Sequence, residues 1–124
     1  MTNKKYILVL EDEVLLSRAI VSKLEQEDMQ AVSFGLISQA INYVKKNGLP
    51  SVVWLDYYLI DGNGVEFMKK FYQTKSHKDI PVVVVSNSAT QEKIDDMLEL
   101  GAKEYLPKAE NSLDNIVKHV KVYY

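Results

Sequence analysis

Three short apolar runs, each closing on a reactive polar side chain, constrain this chain more than any other feature. Ser51-Val52-Val53-Trp54-Leu55 delivers Asp56, Tyr6-Ile7-Leu8-Val9-Leu10 delivers Glu11 and Asp12, and Pro81-Val82-Val83-Val84-Val85 delivers Ser86 and Asn87. A β-rich run with an unbroken apolar interior reads as a strand buried on both faces, the habit of parallel sheets sandwiched between helices. In an open α/β sheet, ligands bind outside the carboxyl ends of the strands, where strand order reverses. Three strands therefore aim three acids and a hydroxyl at one crevice.

The segments between these runs carry the helices such a sheet needs. From Glu13 to about Glu27, Leu16, Ile20 and Leu24 share one stripe, and Asp12 is placed to cap it. Residues 30–34 form a weaker second strand. Ser38 is the expected cap of the next helix, in which Ile37, Ala40, Ile41 and Val44 repeat at helical spacing before Gly48 and Pro50 close it. Gly62 and Gly64 mark a turn, Asn63 suits an N-cap, and Met68, Phe71 and Tyr72 form the inward face of a third helix. Residues 75–79 read as a charged loop. A fourth helix over Thr90–Leu100 is expected to bury Ile94, Met97 and Leu98. A short fifth strand, Glu104-Tyr105-Leu106, leads to Pro107 and Lys108, and the last helix carries Leu113, Ile116, Val117 and Val120. Five β-α units with right-handed crossovers predict an α/β fold: a doubly wound five-stranded parallel sheet with helices on both faces, in a single domain over 1–124.

Charge and composition narrow the chemistry. With 15 basic and 17 acidic residues, no broad basic face for nucleic acid or an anionic membrane is indicated. The absence of cysteine removes disulfides, thiol nucleophiles and thiolate metal sites, and two isolated histidines make a poor zinc site. Any metal is expected to be held by oxygen. Only Tyr6–Leu10 separates the first lysines from Glu11, too short an apolar stretch for a signal peptide or membrane span, so a soluble cytoplasmic protein is expected.

Glu11, Asp12 and Asp56 brought together would repel by about 4 kcal/mol per pair at ~4 Å and an effective dielectric near ~20. A divalent cation relieves this, and Mg²⁺ suits a site of one or two carboxylates, waters and phosphate oxygens. A carboxylate beside such an ion can act as a nucleophile and form an aspartyl phosphate. Lys108 and Ser86, at the ends of two other strands, could hold the remaining phosphoryl oxygens.

In order and spacing, Ile7-Leu8-Val9-Leu10-Glu11-Asp12-Glu13, Val53-Trp54-Leu55-Asp56 with Gly64 beyond it, Ile80 to Ser86, and Gly101-Ala102-Lys103-Glu104-Tyr105-Leu106-Pro107-Lys108 resemble the receiver domain of two-component response regulators. The resemblance covers essentially the whole chain. It implies the flavodoxin-like strand order 2-1-3-4-5 and a phosphorylation switch. Asp56 would accept a phosphoryl group from a phosphohistidine of a sensor histidine kinase or histidine phosphotransfer protein. Asp12, Asp56 and the backbone carbonyl of Tyr58 would ligate Mg²⁺, with Glu11 acting mainly through water. Lys108 would pair with the phosphoryl oxygens, Ser86 would hydrogen-bond one of them, and Tyr105 would turn in behind Ser86. The 90–122 face would be the output surface and a possible homodimer contact. No nucleic-acid or membrane contact by this domain is implied.

Four positions depart from the pattern that the resemblance implies. Asn87 stands where Ala or Gly is usual, Ala109 replaces the proline after the lysine, Ile60 replaces a common proline, and Tyr58 is bulky beside the phosphoryl position. Asn87, Ala109 and Ile60 motivate an alternative: a degenerate receiver acting as a phosphorylation-independent dimerisation or docking module. A phosphohydrolase of the haloacid type would usually have a second aspartate two residues after the first, where this chain has Tyr58. Each residue also has an ordinary reading: Asp12, Ser86 or Ser88 as helix caps, Lys108 as a solvated charge, and Tyr105 as a strand aromatic. Trp54 reads as core and as a reporter two residues from Asp56. His77 and His119 are assigned to solvent-facing positions.

Overall fold

The computed structural model describes residues 5–87 and 90–124. The chain runs β1 (Ile7–Leu10), α1 (Val14–Gln26), β2 (Ala31–Phe34), α2 (Ile37–Asn47), β3 (Val52–Leu55), a hairpin β4 (Tyr58–Leu59) and β5 (Gly62–Asn63), and α3 (Gly64–Phe71). A 3-10 turn (Lys75–Asp79) leads to β6 (Val82–Ser86), α4 (Gln91–Glu99), β7 (Glu104–Pro107), a second 3-10 turn (Lys108–Glu110) and α5 (Leu113–Lys121). The five long strands form one parallel sheet in the order β2-β1-β3-β6-β7. Counted without the small hairpin, that is the predicted 2-1-3-4-5.

Alternation along each strand sorts the core into two layers. Ile7, Val9, Val52, Trp54, Val83 and Val85 pack with Ile20 and Leu24 of α1 and with Ile116, Val117 and Val120 of α5. Leu8, Leu10, Val53, Leu55, Val82 and Val84 pack with α2, α3 and α4 through Ala40, Val44, Phe67, Phe71 and Met97. Both faces are thus covered, and the strand ends are the part of the sheet left to polar chemistry.

The helix caps divide between local and distant partners. Asn63, Thr90 and Ser112 each accept from the backbone N–H three residues on, at 3.1, 3.4 and 3.1 Å, the local geometry that N-cap preference reflects. Ser38 does not cap α2. The Asp61 carboxylate, 24 residues away from Ile37, accepts from the N–H groups of Ile37 and Ser38 at 2.7 and 3.2 Å. Desolvation is the largest single influence on its pKa and raises it, but the hydrogen bonds together outweigh it and hold the pKa below the usual value. Asp12 does not cap α1 either: the N-cap is Glu13, which makes no side-chain cap bond, and its N–H is taken by the Glu11 carboxylate at 3.1 Å.

Other expectations shift where an element meets only part of the core. Residues 75–79 form a 3-10 turn. Leu98 is 43% exposed and Ile94 half-buried, since α4 covers the β7 side of the sheet with a single buried residue, Met97. Both histidines are half-buried: His77 rests on the Phe71 ring with Nδ1 3.0 Å from the Phe71 carbonyl oxygen. His119 Nδ1 lies 2.6 Å from a Glu104 oxygen, whose other oxygen accepts from the Tyr123 hydroxyl at 2.7 Å. The Thr90 cap leaves Ser86 in β6, and Ser88 lies outside the described residues. Among the described residues no helix is long and apolar enough to cross a membrane.

Candidate functional site

Each acid is placed by the ladder of the strand before it. Glu11 donates its backbone N–H to the Phe34 carbonyl at 3.0 Å, and Asp56 donates to the Leu10 carbonyl at 3.0 Å. The two residues therefore follow adjacent strands, at the point where the chain crosses from the β2 side of β1 to the β3 side, the position at which open α/β sheets bind ligands. Glu11 and Asp56 are buried and Asp12 is exposed. One carboxylate oxygen from each lies within 4.8 Å of the others. Such an all-oxygen donor set, part sheltered and part open to water, fits a hard divalent ion that keeps some of its hydration.

Lys108, beyond β7, reaches the same place. Its ammonium donates to Glu11 Oε1 at 3.0 Å and to Asp56 Oδ2 at 3.1 Å. The peptide joining it to Ala109 is trans, since no cis bond occurs among the described residues, so the reach of the lysine does not depend on the proline missing at 109. Burial disfavours the Lys108 charge, but the hydrogen bond to Glu11 and the Asp56 charge outweigh it and raise its pKa above the ordinary value. Glu11 also titrates above its ordinary value, chiefly because it is buried. One ammonium shared by two carboxylates, together with the Glu13 N–H, does not offset that desolvation, to which the Asp56 charge adds.

The sign of the Glu11 effect is testable. A carboxyl whose folded pKa is raised contributes stability that is complete below its unfolded value and is lost as pH rises through the folded value. Glu11→Gln, which fixes the uncharged form, is expected to match the wild type in Tm near about pH 4 and to exceed it increasingly toward about pH 7 in chelator-treated buffer. A variant equally or less stable at pH 7 would contradict the burial cost assigned here.

Ser86 is buried at the end of β6, opposite Pro107 of β7, and Tyr105 is half-buried two residues earlier on that strand. Burial raises the Tyr105 phenol, opposed by a hydrogen bond with the Ser86 side chain, so the hydroxyl and the aromatic are already engaged. Tyr58 opens β4 two residues after Asp56, with its side chain 52% exposed. Asn87 is exposed. A cleft of about 380 Å³ opens beside Glu11 and Asp12, with Val14, Arg18 and Ile60 in its walls. A cavity of about 730 Å³ between α2 and α3 contains none of these residues.

Sequence pattern did not mark the aromatic cluster beside the site. Tyr57 and Tyr58 meet edge to face, with centroids 5.0 Å apart. Lys93 of α4 lies over both rings and donates to the Tyr58 hydroxyl. A lysine in a helix 35 positions away leaves no local signature.

The sheet order, the acidic cluster and the lysine define a receiver domain. The chain belongs to the response regulator receiver domain family, which it matches over residues 7–121. It is 32% identical over 102 residues to the phosphate regulon transcriptional regulatory protein PhoB of Escherichia coli (strain K12), covering 82% of this chain and 44% of that protein. The chain thus spans less than half the length of this relative. Among solved structures it is similar to the non-phosphorylated HemR receiver domain from Leptospira biflexa, with a TM-score of 0.84, 29% identity and coverage of 97% of this chain and 94% of that one. It is also similar to the phosphorylated cyanobacterial phytochrome response regulator RcpA, with a TM-score of 0.79, 26% identity and coverage of 95% and 89%. Receiver domains are regulatory modules rather than enzymes in their own right.

Proposed function

We propose that this chain is a Mg²⁺-dependent phosphoacceptor that takes a phosphoryl group on Asp56 from a phosphohistidine and signals through a protein-contact surface. The observation that carries the reading is the convergence of Glu11, Asp12 and Asp56 with Lys108 at one sheet edge. In the transfer, an Asp56 carboxylate oxygen forms the P–O bond while the P–N bond to the donor histidine breaks, its electron pair returning to the imidazole. Lys108 holds Asp56 in place and supplies positive charge where phosphoryl oxygens arrive. Asp12 and Asp56 would hold Mg²⁺, with the Tyr58 carbonyl, and Glu11 would act through water. The ion supplies charge neutralisation for the transferring group. Ser86 then hydrogen-bonds a phosphoryl oxygen in place of its bond with Tyr105, and the added charge of about −1.5 to −2 biases the α4–β7–α5 face.

The donor is a sensor histidine kinase or histidine phosphotransfer protein, and the exposed apolar side chains beside the site are suited to receive it. Val14 and Ile60, in the cleft walls, are 62% and 68% exposed, and Leu15 is 75% exposed. Leu15→Glu is expected to slow transfer from a phosphohistidine donor protein about tenfold or more while leaving labelling by acetyl phosphate unchanged. Equal loss with both donors would show that Leu15 supports the fold, not docking. The test of the proposal as a whole is a mass gain of one phosphoryl group with Mg²⁺ and acetyl phosphate. No gain after prolonged exposure would favour the docking module that Asn87, Ala109 and Ile60 motivate.

A further inference from the structure

Helix α4 is fastened at two points to the segment that follows Asp56. The first is Met97: a Cβ added at Gly64 would meet its Cε at 3.0 Å and its Sδ at 3.3 Å, so the thioether rests directly on the start of α3. The second is Lys93, whose ammonium lies 5.4 Å from the Tyr57 ring centroid and 4.9 Å from that of Tyr58, and which donates to the Tyr58 hydroxyl. Tyr57 is buried and its carbonyl accepts from the Gly64 N–H at 2.6 Å. Residues 57–64 are therefore a closed loop, and the two fastenings grip its two ends.

The position of Lys93 calls for a cause beyond helix formation. It stands in the first turn of α4, where the Thr90 side chain already caps its N–H and where the helix dipole disfavours a cation. The faces of two tyrosines favour one there. The contact thus sits against the local preference and in favour of a bridge to the loop.

We infer that Lys93 is a positioning residue that locks the 57–64 loop to α4, so that occupancy of the acidic site and the setting of α4 form a single equilibrium. The inference rests on the phosphoacceptor reading, in which the Tyr58 carbonyl faces the metal. Linkage makes the coupling mutual: whatever Mg²⁺ does to α4, the setting of α4 does to Mg²⁺ affinity. Lys93 makes this link through side chains of the loop itself, Tyr57 and Tyr58.

The test titrates Mg²⁺ into the full chain while following Trp54 fluorescence, which reports on β3, and the methyl resonance of Met97, which reports on α4. In the wild type both signals are expected to move with one midpoint. Lys93→Ala is expected to weaken the Trp54 midpoint about fivefold or more and to cut the Met97 shift to less than half. Lys93→Arg, which keeps a cation over the rings, is expected to restore both. Tyr58→Phe, which keeps the ring and removes the hydroxyl, is expected to weaken the midpoint less than Lys93→Ala, and it supplies the comparison if that variant does not fold. The inference is overturned if Lys93→Ala and Tyr58→Phe both titrate like the wild type, or if wild-type Met97 stays still while Trp54 responds. Silence of both wild-type signals would overturn it together with the metal site itself.

Discussion

With Mg²⁺ and acetyl phosphate, the wild-type chain is expected to gain one phosphoryl group and Asp56→Asn to gain none. The carboxamide keeps the shape of the side chain and can still accept from Lys108, so the fold should survive the change. It lacks the anionic oxygen that must attack phosphorus. Two other acids are close by, yet neither is equivalent. Glu11 is buried, titrates high and is tied to the Glu13 N–H and to Lys108, and Asp12 is exposed. Asp56 is sheltered at 7% exposure with the same lysine at 3.1 Å, and it follows β3, the central strand of the sheet. Intact-protein mass spectrometry reads the result directly. A full gain in Asp56→Asn would move the acceptor to Asp12 and refute the assignment.

The largest effect on stability is expected from Phe67→Ala. Phe67 is fully buried and stacks on Phe71, with ring centroids 5.2 Å apart and planes 17° from parallel, in the layer shared by α2, α3 and α4. Removing the ring loses its transfer energy and leaves a cavity that the sheet cannot fill, at a cost of about 3–5 kcal/mol. That corresponds to a fall in Tm of roughly 10–20 °C for a domain of this size. Chemical denaturation should show a lower midpoint with an unchanged slope. A loss under about 1 kcal/mol would mean that α3 is not seated on the sheet as described.

What the amino-acid order reveals, and what it hides, follows from the range of each interaction. The apolar runs show the strands because burial on both faces leaves no polar residue inside them, and Glu11, Asp56 and Ser86 stand out as the points where each run stops. Lys108 becomes legible only in register with the other blocks. Caps within one turn, at Asn63, Thr90 and Ser112, follow local preference. The Asp61 cap on α2, the Lys93 contact with Tyr58 and the Glu104 pairing with His119 join residues 15 to 35 positions apart. No local rule reaches them. Leu98 fails for a related reason: Ile94, Met97 and Leu98 have helical spacing, but at the edge of the sheet only part of an apolar stripe finds a covering layer.

The two central strands before the acids, Ile7–Leu10 and Val52–Leu55, are buried on both sides. Sliding either by one residue merely exchanges one apolar set for another, so oily surface alone is nearly indifferent to alignment. A slip of about 3.3 Å would instead drag Glu11 or Asp56 into the dry interior, where an uncompensated carboxylate costs several kcal/mol. The anionic stops therefore act as a ruler for the whole sheet. A chain in which both acids became aliphatic would lose its frame of reference along with its acidic site.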